Sequence, residues 1–298
     1  METKAVRRQS RQPRISSSLC ITRSLATSLL QLYDYPHPLK PGLIIKGYDK
    51  PHAFRTAQMC ATVAAELGHP PSRIREYQIA CLLHDLGRAG LDQGLFGKIW
   101  SWAKQQHIPT RPREWRTLHP QTPYGRETAA FLRLYKKDLL RQGIPIDHWT
   151  REQIEMRLGF ARRLRRQLKR VKPQLKRLGI RWASWMELVM LYYYYPEKLV
   201  QAPSWVKQLS EILVACEQLE AYSNNRRGRD YYARSRENFA EAFQYLAGLH
   251  AQGVIGQDVL QTIRRLTAQG NFNIILSAAR GQTLTPHERR YLQTLNSE

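Results

Sequence analysis

From Asp49 to the C terminus the apolar residues recur at intervals of three and four, and strict alternation is hard to find. That period gives each segment one apolar stripe and leaves no half-buried strand from which to build a sheet, so the expected class is all-α. Asp49 can cap a helix that carries Pro51 in its first turn and ends at Gly68. A second helix is expected from Ser72 to about Leu86. More follow at Lys98 to Gln106, around Glu114 and His119, from Gly125 through Leu134, and at Trp205 to Ser223, Arg236 to Leu249, Asp258 to Thr267 and Pro286 to Leu295.

Before Asp49 the pattern is different. Residues 1 to about 24 hold Lys4, Arg7, Arg8, Arg11, Arg14 and Arg23 against Glu2 alone, which is the composition of a basic tail. A short helix is expected at Leu25 to Tyr33. Pro36, Pro38, Pro41 and Gly42 then mark an irregular connector, after which the ordered domain should begin. The chain thus divides into a tail and connector, 1–45, and a helical domain, 46–298.

Charge is the second constraint. The 298 residues include 47 Lys and Arg against 24 Asp and Glu, a net +23, on an otherwise globular composition of 42% apolar residues. Such an excess calls for an anionic partner: nucleic acid, nucleotide or an acidic membrane surface. Much of it sits in residues 151–181, where twelve basic residues face Glu152 and Glu155 alone. Leu164, Leu168, Val171, Leu175 and Leu178 step by four and three along the same stretch, so it is an amphipathic helix, with Pro173 expected to kink it. With so few acids to form pairs, self-repulsion along this helix favours a polyanion against it, whether RNA, DNA or acidic lipid.

The four cysteines, Cys20, Cys60, Cys81 and Cys216, are scattered without a Cys-x-x-Cys pair, so neither a disulfide framework nor a thiolate zinc knot is expected. No stretch reaches the roughly 18 uncharged apolar residues of a membrane span. A cytoplasmic location follows as the expectation.

His52 begins the stripe continued by Thr56, Met59 and Val63, and His84 closes the seam of Ile74, Tyr77 and Cys81, so both imidazoles should face inward. Asp85 follows directly. An imidazole and a carboxylate at one helix end, joined by a second histidine from a neighbouring helix, can hold a divalent ion. The alternative on these residues alone is a pair of core histidines with satisfied hydrogen bonds.

His52 at a helix start followed by His84-Asp85 at the end of the next resembles the H…HD…D pattern of the HD-domain metal-dependent phosphohydrolases. The likeness is greatest to the HD-GYP branch, which contains cyclic di-GMP phosphodiesterases. His52-Ala53-Phe54-Arg55-Thr56-Ala57 resembles its H-x-x-R-V-A start, and Leu82-Leu83-His84-Asp85-Leu86-Gly87-Arg88 its L-L-H-D-I-G-K segment. Leu118-His119-Pro120 with Gly125 is similar to H-P-x-x-G. The stretch Ile212 to Ser223 parallels a helix in which Glu217 stands for the final metal-binding Asp, and Arg229-Asp230-Tyr231 sits where the branch has R-P-Y.

The resemblance implies an HD-domain helical bundle with a basic helical arm inserted at about 136–185. It implies one divalent ion, Mn, Fe, Zn or Mg, held by His52, His84, Asp85 and Glu217. A hydroxide from metal-bound water would then attack a phosphoester in a nucleotide or cyclic dinucleotide. Asp85 would also orient that water, Arg88 and Arg229 would hold phosphate oxygens, and His119 would ligate a second ion or donate to the leaving oxygen. Two features depart from the branch. Glu217 is one methylene longer than Asp, and Tyr192-Tyr193-Tyr194-Tyr195-Pro196 replaces two adjacent histidines and the Gly-Tyr-Pro loop. Phenols bind divalent ions poorly at neutral pH. One ion rather than two is therefore expected, and the alternative function is a degenerate HD-domain module that senses a nucleotide or binds nucleic acid.

Overall fold

The computed structural model describes residues 20–223 and 238–295. Fourteen α-helices account for most of these residues, and the only sheet among them is a two-stranded antiparallel hairpin. The class is all-α, as the apolar period requires.

Helix α1 (Arg23–Gln31) leads into the hairpin, β1 (Tyr35–Pro36) and β2 (Ile44–Ile45), and then into α2 (Lys50–Glu66) and α3 (Pro71–Leu83). A 3-10 turn at Leu86–Arg88 follows. Helices α4 (Gln93–Gln105), α5 (Pro112–Leu118), α6 (Glu127–Arg141) and α7 (His148–Leu158) come next. Then come α8 (Phe160–Arg177), α9 (Ser184–Leu191) and α10 (Ser204–Ser223). After residue 237 the chain adds α11 (Phe239–Ala251), α12 (Gln257–Ala268), α13 (Asn273–Arg280) and α14 (Pro286–Thr294).

The apolar stripes close on two cores. The larger gathers α1–α3 and α8–α14; the smaller is built from α4–α7 around Phe96, Trp100, Trp115 and Phe131. Three expectations change here. The connector does not precede the domain: Ala26, Leu29 and Tyr33 are buried in the larger core, and the Tyr33 hydroxyl donates to the Leu82 carbonyl at 2.9 Å. The tail through residue 19 lies outside the described residues.

Nor is 136–185 a separate arm. Ile154, Met156 and Leu158 of α7 complete the smaller core, while Leu164, Leu168, Val171 and Leu175 of α8 fill the larger one. A stripe of that length must be covered, and the bundle itself covers it. Helix α8 also continues through Pro173.

The third change concerns the arginines. Arg163 has no exposed surface. Its Nε donates to the Gly87 carbonyl at 2.8 Å, one terminal nitrogen to the Ala89 carbonyl at 2.7 Å, and the other lies 3.0 Å from Glu152. Arg162 and Arg166 share Glu155, and Arg165 reaches Glu187 at 2.5 Å. The acids that the segment lacks in number are thus placed where four of its cations need them.

Gly87 is required for space. A Cβ there would lie 2.7 Å from the Phe160 ring at the start of α8.

Replacing Arg163 by Met should lower unfolding free energy in urea by about 3–5 kcal/mol, because buried Glu152 loses its arginine and the Gly87 and Ala89 carbonyls lose their donor. Adding Glu152→Gln should recover part of that loss in a double-mutant cycle. Glu155 supplies a pH test. Burial alone would raise its pKa, but the Arg166 hydrogen bond and the Arg166 and Arg162 charges hold it below the ordinary 4.5. A depressed folded-state pKa contributes stability that is present above 4.5 and lost as pH falls through the lower folded value. Urea midpoints measured across that acid range should fall less steeply for Glu155→Gln than for the parent.

Candidate metal centre

His52 stands in the first turn of α2 beside Pro51; Asp49 sits at the N-cap position, but its side chain makes no capping hydrogen bond. His84 ends α3, and Asp85 opens the 3-10 turn, whose Gly87 carbonyl and following Ala89 carbonyl Arg163 grips from α8. Tyr77 ties α3 to α10 by donating its hydroxyl to the Leu209 carbonyl at 2.7 Å. These ties fix two helix ends and one turn against each other.

His52, His84 and Asp85 each offer one ligand atom, and these atoms all lie within 4.8 Å of one another. The Nε2 atoms of both histidines lie 3.7 Å from Asp85 Oδ2. All three residues are buried.

The other ring nitrogens are occupied. His84 Nδ1 donates to the Cys81 carbonyl at 2.7 Å, and a carbonyl can only accept, so the proton sits on Nδ1. His52 Nδ1 is bound to Glu220, which Arg55 holds from the other side with Nε at 2.7 Å. Each Nε2 is left facing Asp85 with no hydrogen-bond partner. Two buried, unpartnered imidazole nitrogens beside a carboxylate, each backed by an outer acceptor, fit a divalent ion: the trio can hold one.

Glu217 is not one of the three converging residues. It lines a cavity of about 10 Å³ together with His84, Asp85, Phe160 and Tyr193, a hole at the size that first admits one water. Glu220, one turn further along α10, meets His52 instead. Its spacing of four from Cys216 sets it on the inward seam of α10, the signal that could have found it. Arg88 lies 3.1 Å from Asp85 Oδ2 and lines a cleft of about 1170 Å³. Arg111, Arg113, Arg116 and Arg157 line that cleft too, facing Glu114, Glu197 and Glu241 as well as tyrosines. Tyr193, Tyr194 and Glu217 border both hollows.

His119 lines neither hollow; its ring lies on Trp115 with centroids 4.3 Å apart. Arg229 lies outside the described residues. Of the tyrosine run, Tyr192 and Tyr195 are buried in the larger core, and Tyr193 donates to or accepts from the Tyr245 hydroxyl at 3.0 Å. Burial pushes the Tyr193 phenol well above its ordinary pKa, so it faces the hollows as a neutral hydroxyl. No helix among the described residues is long and apolar enough to cross a membrane.

Replacing His52, His84 or Asp85 by Ala should abolish retention of Mn, Fe or Zn through gel filtration, read by elemental analysis. Glu220→Gln should keep the fold but weaken metal affinity about 10–100-fold in competition with a chelator, because it removes the charged acceptor behind His52. No protein-family model matches this chain, and no curated protein or solved structure is detectably similar to it.

Proposed function

We propose that the protein is a metal-dependent phosphohydrolase of the HD type, acting on a phosphoester in a nucleotide or cyclic dinucleotide. The observation that carries this reading is the pair of buried, unpartnered Nε2 atoms converging with Asp85 next to an arginine-lined cleft. A core histidine with no further task has its second nitrogen satisfied as well.

His52, His84 and Asp85 would hold the ion. Glu217, beside the same small cavity as His84 and Asp85, is the further carboxylate close at hand. When bound, a divalent ion supplies Lewis acidity, acidifying water and offsetting negative charge on phosphate oxygens. Asp85 would also orient a water. Arg88, held between Asp85 and the cleft, is placed to take a non-bridging oxygen and to stabilise charge as the phosphorus is attacked. Tyr193, neutral at working pH, can donate a hydrogen bond to an oxygen from the cleft side. His119 has no part in this scheme, because it borders neither hollow.

The second reading is a ligand-sensing module that has kept the fold and lost turnover. It is favoured by the fact that only three ligand atoms converge among the described residues. One experiment separates the two. The purified protein is stripped with chelator, refilled with manganese, iron or zinc, and assayed on bis(p-nitrophenyl) phosphate. Turnover should appear in at least one metal form and fall to background in His84→Ala and Asp85→Ala. Arg88→Ala should lower kcat by about 100-fold with metal content unchanged. Retained metal with no turnover in any form would replace the enzyme reading with the sensor.

A further inference from the structure

The hairpin ahead of α2 carries an apolar tip that the bundle does not cover. Leu39, Leu43 and Ile44 are 51%, 46% and 46% exposed. Looseness does not explain this. The His37 amide donates to the Leu43 carbonyl at 2.8 Å, the Leu43 amide to Lys40 at 3.1 Å, and Gly42 takes the left-handed φ of 81° that closes the turn. Pro38 and Pro41 stiffen it further. The structure thus holds three aliphatic side chains outward on a braced loop, with Lys40 among them; Lys46, after β2, lies 3.5 Å from Asp34.

The base of the hairpin is seated on the basic helix. The Arg170 guanidinium lies 4.9 Å over the Tyr35 ring and donates to the Leu32 carbonyl at 3.3 Å, and the His37 ring rests on Trp149 at 4.6 Å. Beyond Arg170, α8 exposes Lys172, Lys176 and Arg177, with Lys169 beside it. From Phe160 through Met186 there is no acidic residue, and the acids nearest in sequence, Glu152, Glu155 and Glu187, pair with Arg163, Arg162, Arg166 and Arg165. Arg170 to Arg177 spans roughly 10 Å along the helix axis, about one Debye length. The Arg170 contacts to Tyr35 and Leu32 set the base of the hairpin beside the start of this cationic stretch.

We propose that this face docks the protein on an anionic phospholipid surface, with Leu39, Leu43 and Ile44 entering the headgroup boundary and the α8 ammonium groups lying on lipid phosphates and carboxylates. Cations alone would suit nucleic acid equally. The aliphatic tip decides for lipid, because single-stranded nucleic acid is held by stacking on exposed rings, whereas Trp149 is buried and Tyr35 is packed against Arg170. Stable peripheral anchoring takes two weak signals, an apolar insertion and a basic patch, and both are here.

The test is co-sedimentation of the full chain with vesicles of phosphatidylcholine, with and without phosphatidylserine. Binding should require phosphatidylserine and weaken as salt rises. Lys169→Glu/Lys172→Glu/Lys176→Glu should lower the partition coefficient at least about tenfold. Leu39→Ser/Ile44→Ser should lower it severalfold at an unchanged unfolding temperature, since neither side chain is in a core. Partition that both variants leave intact would overturn the proposal. So would absence of vesicle binding together with RNA or DNA binding that the lysine variant abolishes.

Discussion

A guanidinium sealed from water holds the centre of this molecule in place. Arg163 comes from the helix that looks, in its charge, like a surface element, yet its three partners are two carbonyls of the turn carrying Asp85 and a carboxylate of α7. Desolvating a guanidinium costs several kcal/mol unless it is compensated, and here two carbonyls accept from it while the Glu152 carboxylate 3.0 Å away balances its charge. One side chain thereby couples the larger core, the smaller core and the turn at the metal centre. Gln153 of α7 assists, donating to the Gly90 carbonyl at 3.2 Å and accepting from the Asp92 amide at 3.0 Å. The loop after His84 is therefore fixed from outside its own helix.

The fold class and most helices were legible because burial of one stripe per helix leaves a periodic trace. The expected helix from Ser72 stops at Leu83 rather than Leu86, since the chain tightens into a 3-10 turn after His84-Asp85. Three helices were not anticipated: α7 is buried on nearly every side and α9 is so apolar that no polar face marks their period, while α13 has one apolar face but only eight residues to show it. Within the candidate centre, His52, His84 and Asp85 were legible as inward positions on neighbouring helices. Glu220 was not, because a carboxylate on an apolar seam looks misplaced until its partners, His52 and Arg55, are known to lie across from it. Those pairings join residues more than 160 positions apart, and no local pattern encodes them.

The basic segment carries a large charge excess but does not present it as a single surface. Composition counts cations without saying where they point. Four of the twelve turn inward or sideways onto acids, and only the distal part of α8 presents cations outward with no acid near in sequence. The same stretch thus does two jobs, bracing the interior with one set of arginines and giving the exterior its positive face with another.

The bare backbone at residue 87 has a reach beyond its own turn. Since any side chain there would run into the ring of Phe160, tolerance at this position is governed by the opening residue of a helix more than seventy positions away. A chain that acquired alanine at 87 would need compensation at 160 by a smaller group. Divergence at these two places should therefore proceed in concert, with position 160 shrinking before or together with growth at position 87.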